Sequence, residues 1–119
     1  MPKRSLDSFV LRWPSPAEVE QALRDWLEQT ELPGLLALGY FGSYARGESG
    51  PGSDLDLVLV LKDAPEAPWE RTRRLPLELL PVPTEALVFT LAEWRALPEA
   101  RPRFARTLTQ ETRWLKPPP

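Results

Sequence analysis

LLALGYFGSYARGESGPGSDLDLVLVL, residues 35–61, decides the fold. Leu35 to Phe41 is a short apolar run that stops at Gly42-Ser43, and it reads as a central strand. Ser43 to Gly50 reads as a turn with one helical turn inside it. Asp54 to Leu61 is rich in Leu and Val and reads as a second strand. Side chains alternate along a strand, so Asp54 and Asp56 project to the same face.

The flanking segments are read outward from this pair of strands. Upstream, Ser15-Pro16-Ala17-Glu18 is a helix start: Ser15 as N-cap, Pro16 at the first helical position, Glu18 closing a capping box. Val19, Leu23, Trp26 and Leu27 follow at helical spacing, and Pro33-Gly34 ends the helix. Residues 1–14 read as a flexible arm in which Trp13 docks. Downstream, residues 62–68 are a polar link, and Trp69 to Leu80 reads as a helix interrupted by Pro76. Glu85 to Thr90 reads as a third strand and Leu91 to Leu97 as a short helix. Residues 101–115 read as a last amphipathic helix or helix pair that brings Phe104, Leu108 and Leu115 to the core, followed by a frayed tail over 116–119. Helices alternating with strands predict an α/β (α+β) fold. The expectation is a small mixed sheet of three to four strands with helices packed on it, forming a single domain over residues 1–119.

Composition narrows the chemistry. The 119 residues contain neither Cys nor His. Thiol nucleophiles, histidine bases and His- or Cys-ligated metals are therefore excluded, which leaves carboxylates, hydroxyls, Lys, Arg and hard cations. A net charge of −2 predicts no strong nucleic-acid binding and no membrane attraction. Leu57 to Leu61 is too short an apolar run to span a bilayer, and residues 1–12 lack the apolar core of a signal peptide, so a cytoplasmic protein is expected.

Two carboxylates side by side repel each other, and a divalent cation relieves that repulsion. Mg²⁺ takes oxygen ligands and commonly uses one or two carboxylates together with substrate phosphates. Paired ions in such sites lie ~3.5–4 Å apart and clamp the attacking and leaving oxygens. Asp54 and Asp56 are thus candidate metal ligands. Gly42 allows close backbone approach at a strand–turn junction, Ser43 can donate its hydroxyl to a phosphate oxygen, and Arg46 is near enough to contact the same phosphates or to pair with Glu48. Glu85, at the start of the third strand, is the candidate third acid for catalysis and metal binding, with Glu78 in reserve. Tyr44 and the five tryptophans read as packing residues.

At these residues the sequence resembles the minimal nucleotidyltransferases (MNT) of the DNA polymerase beta-like superfamily. The signature is Gly-Ser, ten residues, then Asp-x-Asp. Gly42-Ser43, the ten residues Tyr44 to Ser53, and Asp54-Leu55-Asp56 fit it, and Arg46-Gly47 and Ser53 extend the fit. Glu85 to Thr90 with Glu93-Trp94 is similar to the family's third-strand segment, and Trp114-Leu115 to its ending, so the resemblance covers residues 16–115. Family members usually carry Asp where Glu85 falls, and the extra methylene displaces the carboxylate.

The resemblance implies that Asp54 and Asp56 bind Mg²⁺, that Gly42 and Ser43 hold the triphosphate of ATP or another nucleoside triphosphate, and that Glu85 assists deprotonation of a hydroxyl acceptor. It also implies a partner, since minimal nucleotidyltransferases often pair with a helical HEPN protein in toxin–antitoxin modules, and some transfer AMP to a tyrosine of that toxin. Two other expectations remain open: a small-molecule acceptor of the aminoglycoside kind, or a module that only binds nucleotide and partner. A homo-oligomer is also open. Template-dependent polymerisation is the least expected reading, since 119 residues with no broad basic surface leave little room for fingers or thumb.

Overall fold

The computed structural model describes residues 13–119. The part of the expected arm that precedes Trp13 lies outside the described residues. Trp13 itself is half-buried against the first hydrophobic core.

Helix α1, Pro16–Gln29, starts as the sequence predicts. Ser15 Oγ accepts from the Glu18 N–H at 3.2 Å, and Glu18 Oε1 accepts from the Ser15 N–H at 2.9 Å. Reciprocal caps of this kind satisfy two N–H groups that the helix cannot. Val19, Leu23 and Trp26 form its buried stripe. Strand β1, Leu35–Phe41, leads through the short helix α2, Ser43–Arg46, and a loop to strand β2, Leu55–Leu61. Strand β3, Thr84–Thr90, is followed by α3, Leu91–Ala100, α4, Pro102–Glu111, and β4, Arg113–Lys116.

The four strands form one mixed sheet in the order β3-β2-β1-β4. β1 runs antiparallel to β2 and β4, whereas β2 and β3 are parallel. Strand alternation divides the core in two. Leu38, Tyr40, Leu55, Leu57 and Leu59 meet α1 on one face, with Leu75, Leu80 and Val82 from the β2–β3 crossover. Val58 meets Leu97, Ala105 and Leu108 on the other face, edged by Phe41, Phe89, Trp94, Phe104 and Trp114. β2 lies at the centre, and residues 57–60 are wholly excluded from solvent. Burying each such Leu or Val contributes about 1.5–3 kcal/mol.

Two expectations about the elements are corrected. The helix expected over Trp69 to Leu80 is replaced by two 3₁₀ turns, Pro68–Arg74 and Leu77–Leu79. Pro76 breaks the run, and tertiary bonds fix the pieces. Arg71, only 5% exposed, donates from Nη1 to the Val88 carbonyl of the edge strand at 3.0 Å and forms a two-pronged pair with Glu93. The Trp26 indole N–H donates to the Pro76 carbonyl at 3.0 Å.

The last helix ends at Glu111, and Trp114 and Leu115 belong to β4. Gly39 explains this ending. It pairs with Trp114, and a Cβ on Gly39 would lie 2.8 Å from Trp114 Cε3, so the bare glycine admits the indole against the sheet. Lys116, expected in the tail, is the last residue of β4. α3 runs on past Leu97 to Ala100 with Pro98 inside it.

Candidate active site

One end of the sheet gathers the residues that the sequence singles out. β1 finishes at Phe41, and Phe41 pairs with Asp56. Asp56 in turn pairs with Glu85 across the parallel β2–β3 ladder. Asp54 sits just before β2, exposed, and Leu55 accepts no slack: its N–H donates to the Pro83 carbonyl at 2.8 Å, tying the start of β2 to the approach to β3. The loop before Asp54 is closed by Ser53, whose Oγ accepts from the Gly50 N–H at 2.9 Å. Ser53 therefore shapes the turn.

Asp56 is half-buried, and its carboxyl is held above the usual aspartate range. Burial is the main cause, followed by the negative charges of Glu85 and Asp54, against which Arg46 acts. Its ionised form is thus disfavoured by the protein alone, and it would be relieved by a bound cation. Glu78, the reserve acid, lies in the Leu77–Leu79 turn. Among the described residues, no three acidic side chains converge closely enough to enclose a metal by themselves. The donor set still suits Mg²⁺, because hard oxygens from one or two carboxylates are completed by substrate phosphates and water.

Gly42 is the hinge of the site. Its φ is +75°, and a Cβ there would lie 2.5 Å from Asp56 Oδ2. Only glycine fits both conditions. Ser43 follows at once, half-buried, as the first residue of α2. Tyr44 is buried in the first core, as expected of a packing residue. Arg46 is exposed and donates to Glu48 Oε1 at 2.8 Å and to Glu111 Oε1 at 3.0 Å.

Glu111 was not legible as a site residue. It is the last residue of α4, and its other oxygen accepts from the Gly42 N–H at 3.0 Å. Both contacts hold its carboxyl below the usual glutamate range, the Gly42 N–H most of all. No local pattern links residues 69 positions apart in the chain.

The sequence pattern of the nucleotidyltransferase domain family matches residues 19–115. The chain belongs to this family. The match is the one that Gly42-Ser43 and Asp54-Leu55-Asp56 lead one to expect, and it takes in every candidate site residue. Curated relatives include the bifunctional uridylyltransferase/uridylyl-removing enzymes of Bordetella avium, 48% identical over 52 residues, and of Burkholderia orbicola, 44% identical over 48 residues. These stretches cover 44% and 40% of this chain, and in both cases the chain spans only 6% of the relative's length.

Among solved structures, a toxin–antitoxin complex with AMP-PNP aligns with a TM-score of 0.55 at 21% identity, over 81% of this chain and 71% of that one. A nucleotidyltransferase of unassigned role from Sulfolobus solfataricus aligns with a TM-score of 0.52 at 18% identity, over 87% of this chain and 88% of that one. The shared fold is thus a nucleotidyltransferase fold with a mixed four-strand sheet. Among the described residues, no helix of this family member is long and apolar enough to cross a membrane.

Proposed function

We propose that this nucleotidyltransferase domain transfers AMP from ATP to a hydroxyl of a partner protein, acting as the antitoxin of a toxin–antitoxin pair. The observation that carries the reading is the abutment of Gly42 on Asp56, with no room for a single added carbon between them. In this reading the abutment would bring the turn that holds phosphate directly against a carboxylate whose ionised form a cation would stabilise. Membership of the family and the fold shared with an AMP-PNP-bound toxin–antitoxin complex support the choice of chemistry and partner. The proposed acceptor is a tyrosine of a helical HEPN toxin, as the resemblance of residues 16–115 implies.

In this reading the Gly42–Ser43 turn holds the triphosphate, with Ser43 Oγ donating to a phosphate oxygen. Asp54 and Asp56 hold Mg²⁺, which when bound neutralises charge on the triphosphate. Glu85, paired with Asp56 across the ladder, takes the proton of the acceptor hydroxyl. The hydroxyl oxygen bonds to the α-phosphorus, the bond from that phosphorus to the oxygen bridging to the β-phosphate breaks, and pyrophosphate leaves. The protein's contribution is positioning and charge stabilisation.

A second reading is favoured by one observation. The identity to the Bordetella avium uridylyltransferase is 48% over 52 residues, 44% of this chain, and favours UMP as the group transferred. One experiment tests both. The protein is incubated with Mg²⁺, lysate of its source, and either α-³²P-ATP or α-³²P-UTP, beside the Asp54→Asn/Asp56→Asn variant. A protein band labelled only by wild type and only from ATP supports the proposal, and a tyrosine adduct on that band by mass spectrometry supports the acceptor. Label from UTP alone replaces AMP by UMP. No labelled protein from either nucleotide overturns the protein-acceptor reading.

A further inference from the structure

Glu111 joins two parts of the phosphate-binding segment with one carboxylate. Oε2 accepts from the Gly42 N–H and Oε1 from the Arg46 guanidinium, each at 3.0 Å. Its side chain is 19% exposed, so these bonds are partly shielded from water. The backbone on either side is fixed. α4 ends at Glu111, and two residues later Arg113 pairs with Tyr40 of β1. The carboxylate is therefore delivered to the site by a helix end and a strand start.

Electrostatics make the placement informative. Asp54, Asp56 and Glu85 already gather negative charge at this end of the sheet, and Glu111 adds to the charge that disfavours ionised Asp56. A further carboxylate beside a site for a triphosphate opposes binding unless it does something that outweighs the repulsion. What it does here is geometric. Gly42 has a backbone conformation that other residues rarely adopt, and as the N-cap of α2 it makes no side-chain cap hydrogen bond. Glu111 supplies the hold from outside, while Arg46 offsets its charge.

Resting on the assignment of Gly42 and Ser43 to the triphosphate, we propose that Glu111 is a positioning residue. It fixes the Gly42–Ser43 turn, and it acts on the nucleotide only through that turn.

The test uses the full chain with Mg²⁺ and AMP-PNP, with binding measured by titration calorimetry. Wild type is compared with Glu111→Ala, Glu111→Gln and Ser43→Ala. The amide oxygen of Gln can still accept from the Gly42 N–H, whereas Ala cannot. Glu111→Ala should weaken AMP-PNP binding about 10-fold, the scale of one lost hydrogen bond to a charged group. Glu111→Gln should stay within about 3-fold of wild type. In amide NMR spectra the Gly42 resonance should move in the Ala variant and stay near its wild-type position in the Gln variant.

If the Ala variant does not fold, Glu111→Asp, one methylene too short to reach, takes its place with the same expected loss. Wild-type affinity in Glu111→Ala beside weakened binding in Ser43→Ala would overturn the role of Glu111 and leave the site intact. Equal losses in the Gln and Ala variants would also overturn it, since the acceptor would then not be what matters. Unchanged binding in all variants, or none in wild type, would bring down the assignment of the turn itself.

Discussion

The two faces of β2 end differently. On the face toward α1, Leu55, Leu57, Leu59 and Leu61 form an unbroken apolar row, each at most 4% exposed. On the opposite face the row is Val60, Val58 and then Asp56, where packing gives way to a half-buried carboxylate. One face is finished by the fold, and the other is left open at one end with charge that the fold does not neutralise. Under the proposed function adjacent residues of one strand would serve stability and chemistry separately, and substitutions can test that separation.

The largest expected effect is Asp56→Asn. Nucleotidyl transfer should fall by about 10³-fold or more, on the scale of removing a group that stabilises transition-state charge. The fold should hold or gain. The raised pKa of Asp56 means that the folded state prefers its protonated form, so without divalent cation its contribution to stability is lost as pH rises through the folded pKa. Denaturant unfolding at neutral pH should show Asp56→Asn at least as stable as wild type. Added Mg²⁺ with AMP-PNP should raise the Tm of wild type and not that of Asp54→Asn/Asp56→Asn.

Leu57→Ala is the mirror image. It should cost about 2–5 kcal/mol in denaturant unfolding, because it empties a site with no solvent access. A Leu57 variant as stable as wild type would break the comparison.

A smaller loss is expected at the crossover. Arg71→Met keeps the apolar stem but leaves the Val88 carbonyl and Glu93 without their donor. Since Glu93 is 42% exposed and water can replace part of the pair, the loss should be about 1–3 kcal/mol in the same measurement.

The smallest effect concerns Tyr40, which donates to Glu20 Oε1 at 2.6 Å. Burial, then the bond to Glu20 and its charge, push the phenol up to about 12. The folded state keeps this proton while the unfolded chain loses it near pH 10, so stability should decline between pH 10 and about 12. Tyr40→Phe should flatten that decline in pH-dependent thermal melts.

These contrasts also mark what was legible in the sequence. α1, β1, β2 and β3 were readable because caps and apolar periodicity are local, whereas Asp54, expected inside the second strand, falls just before β2 and only Asp56 belongs to it. The 3₁₀ turns were not, because the pairing of buried Arg71 with half-exposed Glu93 and with the edge of β3 overrides the helical propensity of Trp69 to Leu80. β4 was not, because its partner is Gly39, far away in the chain, and only the missing side chain there makes room for Trp114. Glu111 escaped for the same reason. Its contacts with Gly42 and Arg46 exist only once α4 has been folded back onto the sheet.

The central claim is that nucleotide binds where Gly42 meets Asp56. Amide NMR of the ¹⁵N-labelled protein, titrated with AMP-PNP and Mg²⁺, tests it most directly. The largest shifts should fall on residues 42–46 and 54–56, with smaller ones at Glu85 and Glu111. Shifts centred instead on Ala17, Glu20 and Leu23, at the α1 side of the cavity of about 190 Å³ that Tyr44 and Leu55 also line, with Gly42, Asp54 and Asp56 unmoved, would contradict it.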